Sequence, residues 1–239
     1  MTVSRTHCPV GLVTALQQEF AVARKCLGAD SSSFILAQSG VGRAAGYIAA
    51  EGLGSGNGRL AGLVSLGFCG GLDPALGCGS VVVPRHVITP DAEERFDADE
   101  AWHASIMAGL ANLHPCTDPM FSARDVITSA AGKRQLHERY KACAVDMESA
   151  GIAHAARRLR VPFLAIRIVL DGAGDALPHA TADAVKPDGN LDIRGLMRGL
   201  ARHPKDVPAL MVLGRKSSIA QGRLKAVCEA LKPGFAVPA

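Results

Sequence analysis

No apolar run among the 239 residues reaches the ~20 that a helix needs to cross a bilayer. The opening stretch, MTVSRTHCPVGLVTAL, lacks the long apolar core and small-residue cleavage site of a secretory leader, so a cytoplasmic protein is expected. Cysteine agrees: there are seven, an odd number, scattered and without a C-x-x-C pair. Cys69, Cys143 and Cys228 fall in apolar segments, where a reduced, buried thiol is expected. His and Cys do not cluster at metal-ligand spacing, so neither a structural zinc nor another metal is expected. The net charge of +4 is too small to imply nucleic-acid binding. One Trp, 26 Gly, 13 Pro and 20% charged residues exclude a disordered, collagen-like or coiled-coil chain. What remains is a chain with 48% hydrophobic residues, long enough to bury a full core as one large α/β domain.

Short apolar runs alternate with helical patterns. Pro9–Leu16, Ser33–Gln38, Ala61–Gly67, Met120–Thr128, Ala142–Val145 and Phe163–Leu170 read as strands. Ser80–Ile88 is β-rich, with Pro84 marking a bend or an edge. Gln17–Leu27, Val41–Leu53, Ala101–Leu113, Ala130–Tyr140 and Glu148–Leu159 read as helices. Strands apolar on both faces, alternating with helices, predict a single three-layer α/β/α domain over residues 1–185, with a mostly parallel or mixed central sheet. Residues 186–239 read as a helical extension packed on that domain. Leu191–His203 and Pro208–Leu231 are amphipathic, with a break at Pro204–Pro208. This extension holds ten Lys/Arg against four Asp/Glu, a net of +6 in a chain whose total is +4. One reading is a solvated basic face on ordinary packing helices. The other is a surface that touches anionic lipid or a lipidic substrate.

In an open α/β sheet, ligands bind beyond the carboxyl ends of the strands. The residues that follow each apolar run are Gln17-Gln18-Glu19, Ser39-Gly40-Val41-Gly42-Arg43, Phe68-Cys69-Gly70-Gly71-Leu72-Asp73, Asp146-Met147-Glu148 and Asp171-Gly172. Two glycine loops and several carboxylates thus converge on one edge. The Gly40–Gly46 loop loosely fits a dinucleotide fingerprint, but it follows the second strand, and the next strand ends in Phe68 and Cys69 where ribose binding would want an acid. Tight turns, or backbone N–H groups facing an anion or ribose, are the other readings of these glycines. Singly, Asp171 suits an N-cap and Glu148 a dipole-complementing position; with Glu19 they form a set of three. His103, His137 and His179 are expected at surface or core positions, with a pocket-lining role as the alternative.

Four segments, in order, are GLVTALQQE, SGVGR, SLGFCGGLDPALGCGSVVVP and AVDMESAGIAHAARRLRVPFLAIRIVLDGAGD. Together they resemble the nucleoside phosphorylase/nucleosidase family, which includes purine and uridine phosphorylases and methylthioadenosine/S-adenosylhomocysteine nucleosidases. AVDMES followed by R-x-x-x-D is the most specific part. GGLDPAL and the basic helical tail are similar to the hopanoid-associated branch, whose members remove adenine from adenosylhopane. The resemblance implies N-glycosidic cleavage of an adenine nucleoside without a cofactor, with water or phosphate as the nucleophile. It implies that Glu19 activates water, that Met147 and Glu148 hold the ribose, and that Asp171 donates to purine N7. Val126 and Ile127 fall where the base pocket is shaped; Phe68, Gly70 and Arg167, the last on the strand before the acid, are expected to bind substrate with them, and Gly40, Gly42 and Arg43 to lie near the phosphate or water. A Ser commonly precedes the family's Asp, and here Leu170 stands there; a Ser commonly stands where Phe68 does. Those losses argue against phosphate and for a more apolar pocket, as a lipid-linked nucleoside would require. The resemblance also implies a homodimer. A non-catalytic nucleoside-binding module is the alternative of another class, and adenine release separates the two.

Overall fold

The computed structural model describes residues 8–28, 33–56, 59–90, 94–176, 207–232 and 237. Its spine is four parallel strands. β1 (Val10–Thr14) is buried at all five positions and lies between β2 (Phe34–Gln38) and β3 (Gly62–Gly71). β9 (Phe163–Asp171) runs parallel along the other edge of β3, and β4 (Val81–Val82) pairs antiparallel with β9. The far end of β3 turns to a second set of partners: Gly70 and Gly71 pair antiparallel with Val145 and Ala144 of β8 (Ala144–Asp146). From there the sheet continues through β7 (Met120–Ser122) and β5 (His86–Ile88) to β6 (Arg95–Asp97). The result is the mixed, mostly parallel sheet expected from the alternating pattern.

Residue alternation sorts the two faces of the sheet. Leu164, Ile166 and Ile168 pack with Val10, Leu12, Val64 and Leu66 into one core. That core includes buried residues of α1 (Gln17–Leu27), α3 (Glu100–Gly109) and the C-terminal α6 (Val207–Leu231). Phe163, Ala165 and Val169 face the other core, with α2 (Arg43–Gly56) and α5 (Ser149–Leu159). Arg167 has the parity of this second set, so a guanidinium is driven into the interior beneath α5.

Three differences from the sequence reading have physical causes. β3 runs to Gly71 and not Gly67, because FCGG finds backbone partners in both β9 and β8. The strand from Met120 ends at Ser122; residues 123–128 form a loop closed by Ser129, whose hydroxyl accepts Gly132 N–H at 3.1 Å and caps α4 (Ala130–Tyr140). The short strand Arg95–Asp97 carries two exposed charged residues around Phe96 and gave no apolar signal. In α6, Ala220, Leu224, Val227, Cys228 and Leu231 form one buried stripe, while Arg215, Arg223 and Lys225 are exposed. Leu191–His203 and His179 lie outside the described residues. Among the described residues no helix is long and apolar enough to cross a membrane.

Candidate active site

The carboxyl ends of β1, β3, β8 and β9 open on a cavity of about 210 Å³. Glu19, Glu148 and Asp171 all line it, from three different elements. Phe68, Val126, Ile127, Met147 and Leu170 supply much of its apolar wall.

Glu19 occupies the first turn of α1, where backbone N–H groups have no helical partner. Its Oε2 reaches back to the N–H groups of Ala15 (2.9 Å) and Leu16 (2.8 Å). Its Oε1 crosses to the N–H of Phe68 on β3 at 2.7 Å. Gly67 permits that crossing: a Cβ there would stand 2.6 Å from Glu19 Oε1 and 2.8 Å from Arg167 Nη1. Burial pushes Glu19 above the usual carboxylate range, against Arg167 and the three N–H donors.

Glu148 sits at the N-cap position of α5 yet caps nothing. Its Oε1 accepts the Gly42 N–H at 2.8 Å, which the left-handed φ of +101° at Gly42 allows. Asp146 takes the capping place: its Oδ2 accepts from Ser149 N–H at 3.0 Å and meets Arg167 Nη2 at 2.5 Å. Arg167, fully buried, also donates to Ser65 Oγ (2.6 Å) and Ser149 Oγ (3.1 Å) and lies 3.7 Å from Glu148 Oε2. Burial opposes the charge of Arg167, but Asp146, Glu148 and Glu19 outweigh it. Burial lifts Glu148 to about 7, with Arg167 working against the rise and Asp146 adding to it. Among the described residues, the buried side-chain polar atoms without a partner are Asp146 Oδ1 and Arg167 Nε, so the polar misfit of the core is concentrated here.

Asp171 ends β9, where a register shift between Cys69 and Gly70 sets Gly70 opposite it. Its carboxylate pairs with the ammonium of Lys133, a fully buried lysine of α4 that also donates to the carbonyl of Gly172 at 2.8 Å. Burial raises Asp171, and Lys133 opposes the rise.

The structure therefore brings Glu19, Glu148, Asp171, Met147, Val126, Ile127, Phe68 and Gly70 to one cavity, with Arg167 directly behind it. Gly40, Gly42 and Arg43 are not in its lining, although Val41 is. Gly40 N–H bonds to Ala15 O at 3.2 Å, Gly42 N–H is held by Glu148, and Arg43 is ion-paired with Glu94. The anion that the glycine loop faces is thus the protein's own carboxylate. His103 is a core residue bonded to Val83 O at 2.9 Å, and His137 meets Ala142 O at 2.8 Å. Sequence reasoning missed Lys133 and gave Asp146 no role. Lys133 had a signal: with Leu136 and Tyr140 it falls at i, i+3 and i+7, the inward stripe of α4.

The family model of the phosphorylase superfamily matches residues 28–201. The chain belongs to the phosphorylase superfamily. It is an enzyme of the nucleosidase or nucleoside phosphorylase kind. Three solved structures share the superfamily fold with it. A 5'-methylthioadenosine/S-adenosylhomocysteine nucleosidase from Colwellia psychrerythraea, in complex with adenine, is 19% identical, with 98% of each chain covered and a TM-score of 0.70. The nucleosidase of that name from Neisseria meningitidis, in complex with methylthio-immucillin-A, is 20% identical over 94% of this chain and 99% of that one, with a TM-score of 0.69. Futalosine hydrolase of Helicobacter pylori is 16% identical over 94% and 98%, with a TM-score of 0.68.

Two consequences of this electrostatic arrangement are measurable. Arg167→Met leaves Glu19, Asp146 and Glu148 without their shared cation. Removing one partner of a buried ion pair costs about 3–5 kcal/mol, so the urea midpoint should fall by a corresponding amount. An unchanged midpoint would deny Arg167 its role as the hub. Glu148 has an ordinary value of 4.5 and about 7 in the fold, so the folded state binds its proton more tightly than the unfolded state does. The stability it contributes is full below pH 4.5 and is lost as pH rises through about 7. Thermal melting across that range should show a falling Tm in the wild type and a shallower fall in Glu148→Gln. Equal slopes would contradict the assignment.

Proposed function

We propose that this protein hydrolyses the N-glycosidic bond of an adenine nucleoside and releases adenine. The observation that carries the proposal is the convergence of Glu19, Glu148 and Asp171, from three elements, on one cavity with apolar walls. Breaking the bond between C1′ and the purine nitrogen gives an oxocarbenium-like sugar, as in glycoside hydrolysis. Glu148 accepts from the sugar hydroxyls and sets negative charge beside the developing cation. Asp171 passes a proton to N7 of the departing purine. Glu19 takes a proton from the attacking water. A carboxylate has about four lone-pair sites, and three on Glu19 already accept backbone N–H groups, which leaves one for that water. Burial raises Glu19, which brings it closer to the working pH of a general base.

Charge favours water over phosphate. Among the described residues, the cations in direct contact with Glu19, Asp146, Glu148 and Asp171 are Arg167 and Lys133, an excess of carboxylates that repels a phosphate dianion. Arg43, which phosphorolysis would call on, is tied to Glu94. Adenine release from 5′-substituted adenosines in phosphate-free buffer tests the reading; no release from any of them would overturn it and favour a binding module.

The proposed substrate is adenosylhopane. A cavity of about 210 Å³ has too little room for a triterpenoid beside a base and a pentose, so the 5′ substituent extends beyond it. The same proposal includes a homodimer and contact of the basic C-terminal helices with anionic membrane. Because α6 packs into the core, the membrane contact is tested by substitution and not by truncation. Arg215→Glu with Arg223→Glu and Lys225→Glu should reduce sedimentation with anionic liposomes, and equal pelleting would end this part.

A further inference from the structure

We infer that Lys133 holds the proton that Asp171 delivers to the purine, so that the donor is the Lys133–Asp171 pair and not an isolated carboxylic acid. The inference rests on the proposed glycosidic cleavage. It deepens that reading by assigning a residue outside the three carboxylates.

Lys133 is 1% exposed, although the neighbouring Arg134, Arg139 and Lys141 all lie at the surface. A lysine goes into the interior only when its charge is compensated. Two of its three ammonium hydrogens are accounted for, by Asp171 and by the carbonyl of Gly172, and it also lines the cavity. Both acceptors belong to the end of β9, so α4 aims this one cation at the one carboxylate assigned to the base. The turn beyond β9 is itself held: Asp175 accepts the Gly172 N–H at 2.7 Å and pairs with Lys216 of α6 at 2.5 Å. The groups acting on Asp171 are therefore Lys133 from α4, Asp175 from the turn and Lys216 from α6. Among the described residues, the thiols of Cys69 on β3 and of Cys78 also feel the Asp171 charge.

A carboxylate in hydrogen-bond contact with an ammonium is held ionised, and an ionised carboxylate has no proton to give. The pair nonetheless owns one transferable proton, on nitrogen. As the bond from C1′ to the purine breaks and its electrons move onto the base, an N–H of Lys133 breaks and an O–H forms on Asp171. That O–H breaks in turn as N7–H forms. Asp171 ends as a carboxylate, Lys133 as a neutral amine and the purine as a neutral base. Glu19 has meanwhile gained the proton lost by water, whose hydroxide joins C1′. After release, solvent returns a proton to Lys133 and takes one from Glu19. Lys133 works through Asp171 and is a positioning residue for the proton.

The test is the pH profile of kcat for adenine release by the full chain, in the wild type, Lys133→Arg and Lys133→Met. Arginine keeps the cation but does not give up its proton, so Lys133→Arg should lose about 10²–10⁴-fold at every pH. In Lys133→Met, Asp171 is buried without its ion-pair partner and becomes the acid itself. Its activity should persist at low pH and fall as Asp171 ionises, moving the alkaline limb toward acid by more than about one pH unit. If arginine does not fit the site, as circular dichroism would show, the shift in Lys133→Met decides. An active Lys133→Arg, or a Lys133→Met profile with its alkaline limb unmoved, would make Lys133 a structural residue and overturn the inference. Absence of adenine release by the wild type is a different result and would overturn the proposed cleavage itself.

Discussion

Asp171→Asn is expected to cut adenine release by about 10²–10⁴-fold, the usual contribution of a positioned acid. From sequence alone this variant should lose rate and keep its stability. The ion pair changes that expectation, because asparagine leaves the ammonium of Lys133 buried without a counter-charge. Stranding one member of a buried pair costs up to about 3–5 kcal/mol, softened here because the asparagine carbonyl and Gly172 O still accept from it. Rate and stability separate in the double variant. Asp171→Asn with Lys133→Met removes both charges, so it should recover much of the lost stability and remain inactive. A double variant that regains turnover would remove Asp171 from the chemistry.

Glu19→Gln should show the opposite balance, a collapse in rate with little change in Tm. Burial already disfavours the Glu19 charge, so a neutral isostere removes a costly ion from the interior. Against this, the amide NH₂ must face at least one of the backbone donors that Glu19 satisfies, a loss of about 1 kcal/mol. These effects nearly cancel, whereas losing the base removes about 10²–10⁴-fold from the rate of water attack. Initial rates with and without phosphate give the second reading: if phosphate restores adenine release in Glu19→Gln, the nucleophile is phosphate and not water.

The fold was legible because its strands are apolar on both faces and its helices carry a 3.6-residue stripe. The ends of α1 and α4 were read to the residue, since Gly28 stops the first and Ser129 starts the second. Arg95–Asp97 was not legible, because an edge strand with charged residues on either side of one Phe has no pattern that a loop lacks. The three carboxylates were legible through the rule that ligands gather beyond the strand ends. What they touch was not. Glu148 and Gly42 meet across 106 residues of chain, and Lys133 and Asp171 across 38. Such pairings are set by the way α2, α4 and α5 dock on the sheet, which no local window contains. The placement of Arg43 shows the limit of reasoning by position: the arginine next to the glycine loop turns to Glu94, and the loop's own N–H turns inward to Glu148.

Mass spectrometry of the sugar product formed from a 5′-substituted adenosine in ¹⁸O-water, with and without phosphate, tests the central claim most directly. The arrangement of Glu19, Glu148 and Asp171 predicts free adenine together with a sugar carrying one ¹⁸O at C1, at the same rate in either buffer. A sugar phosphate without ¹⁸O, formed only when phosphate is present, would contradict it.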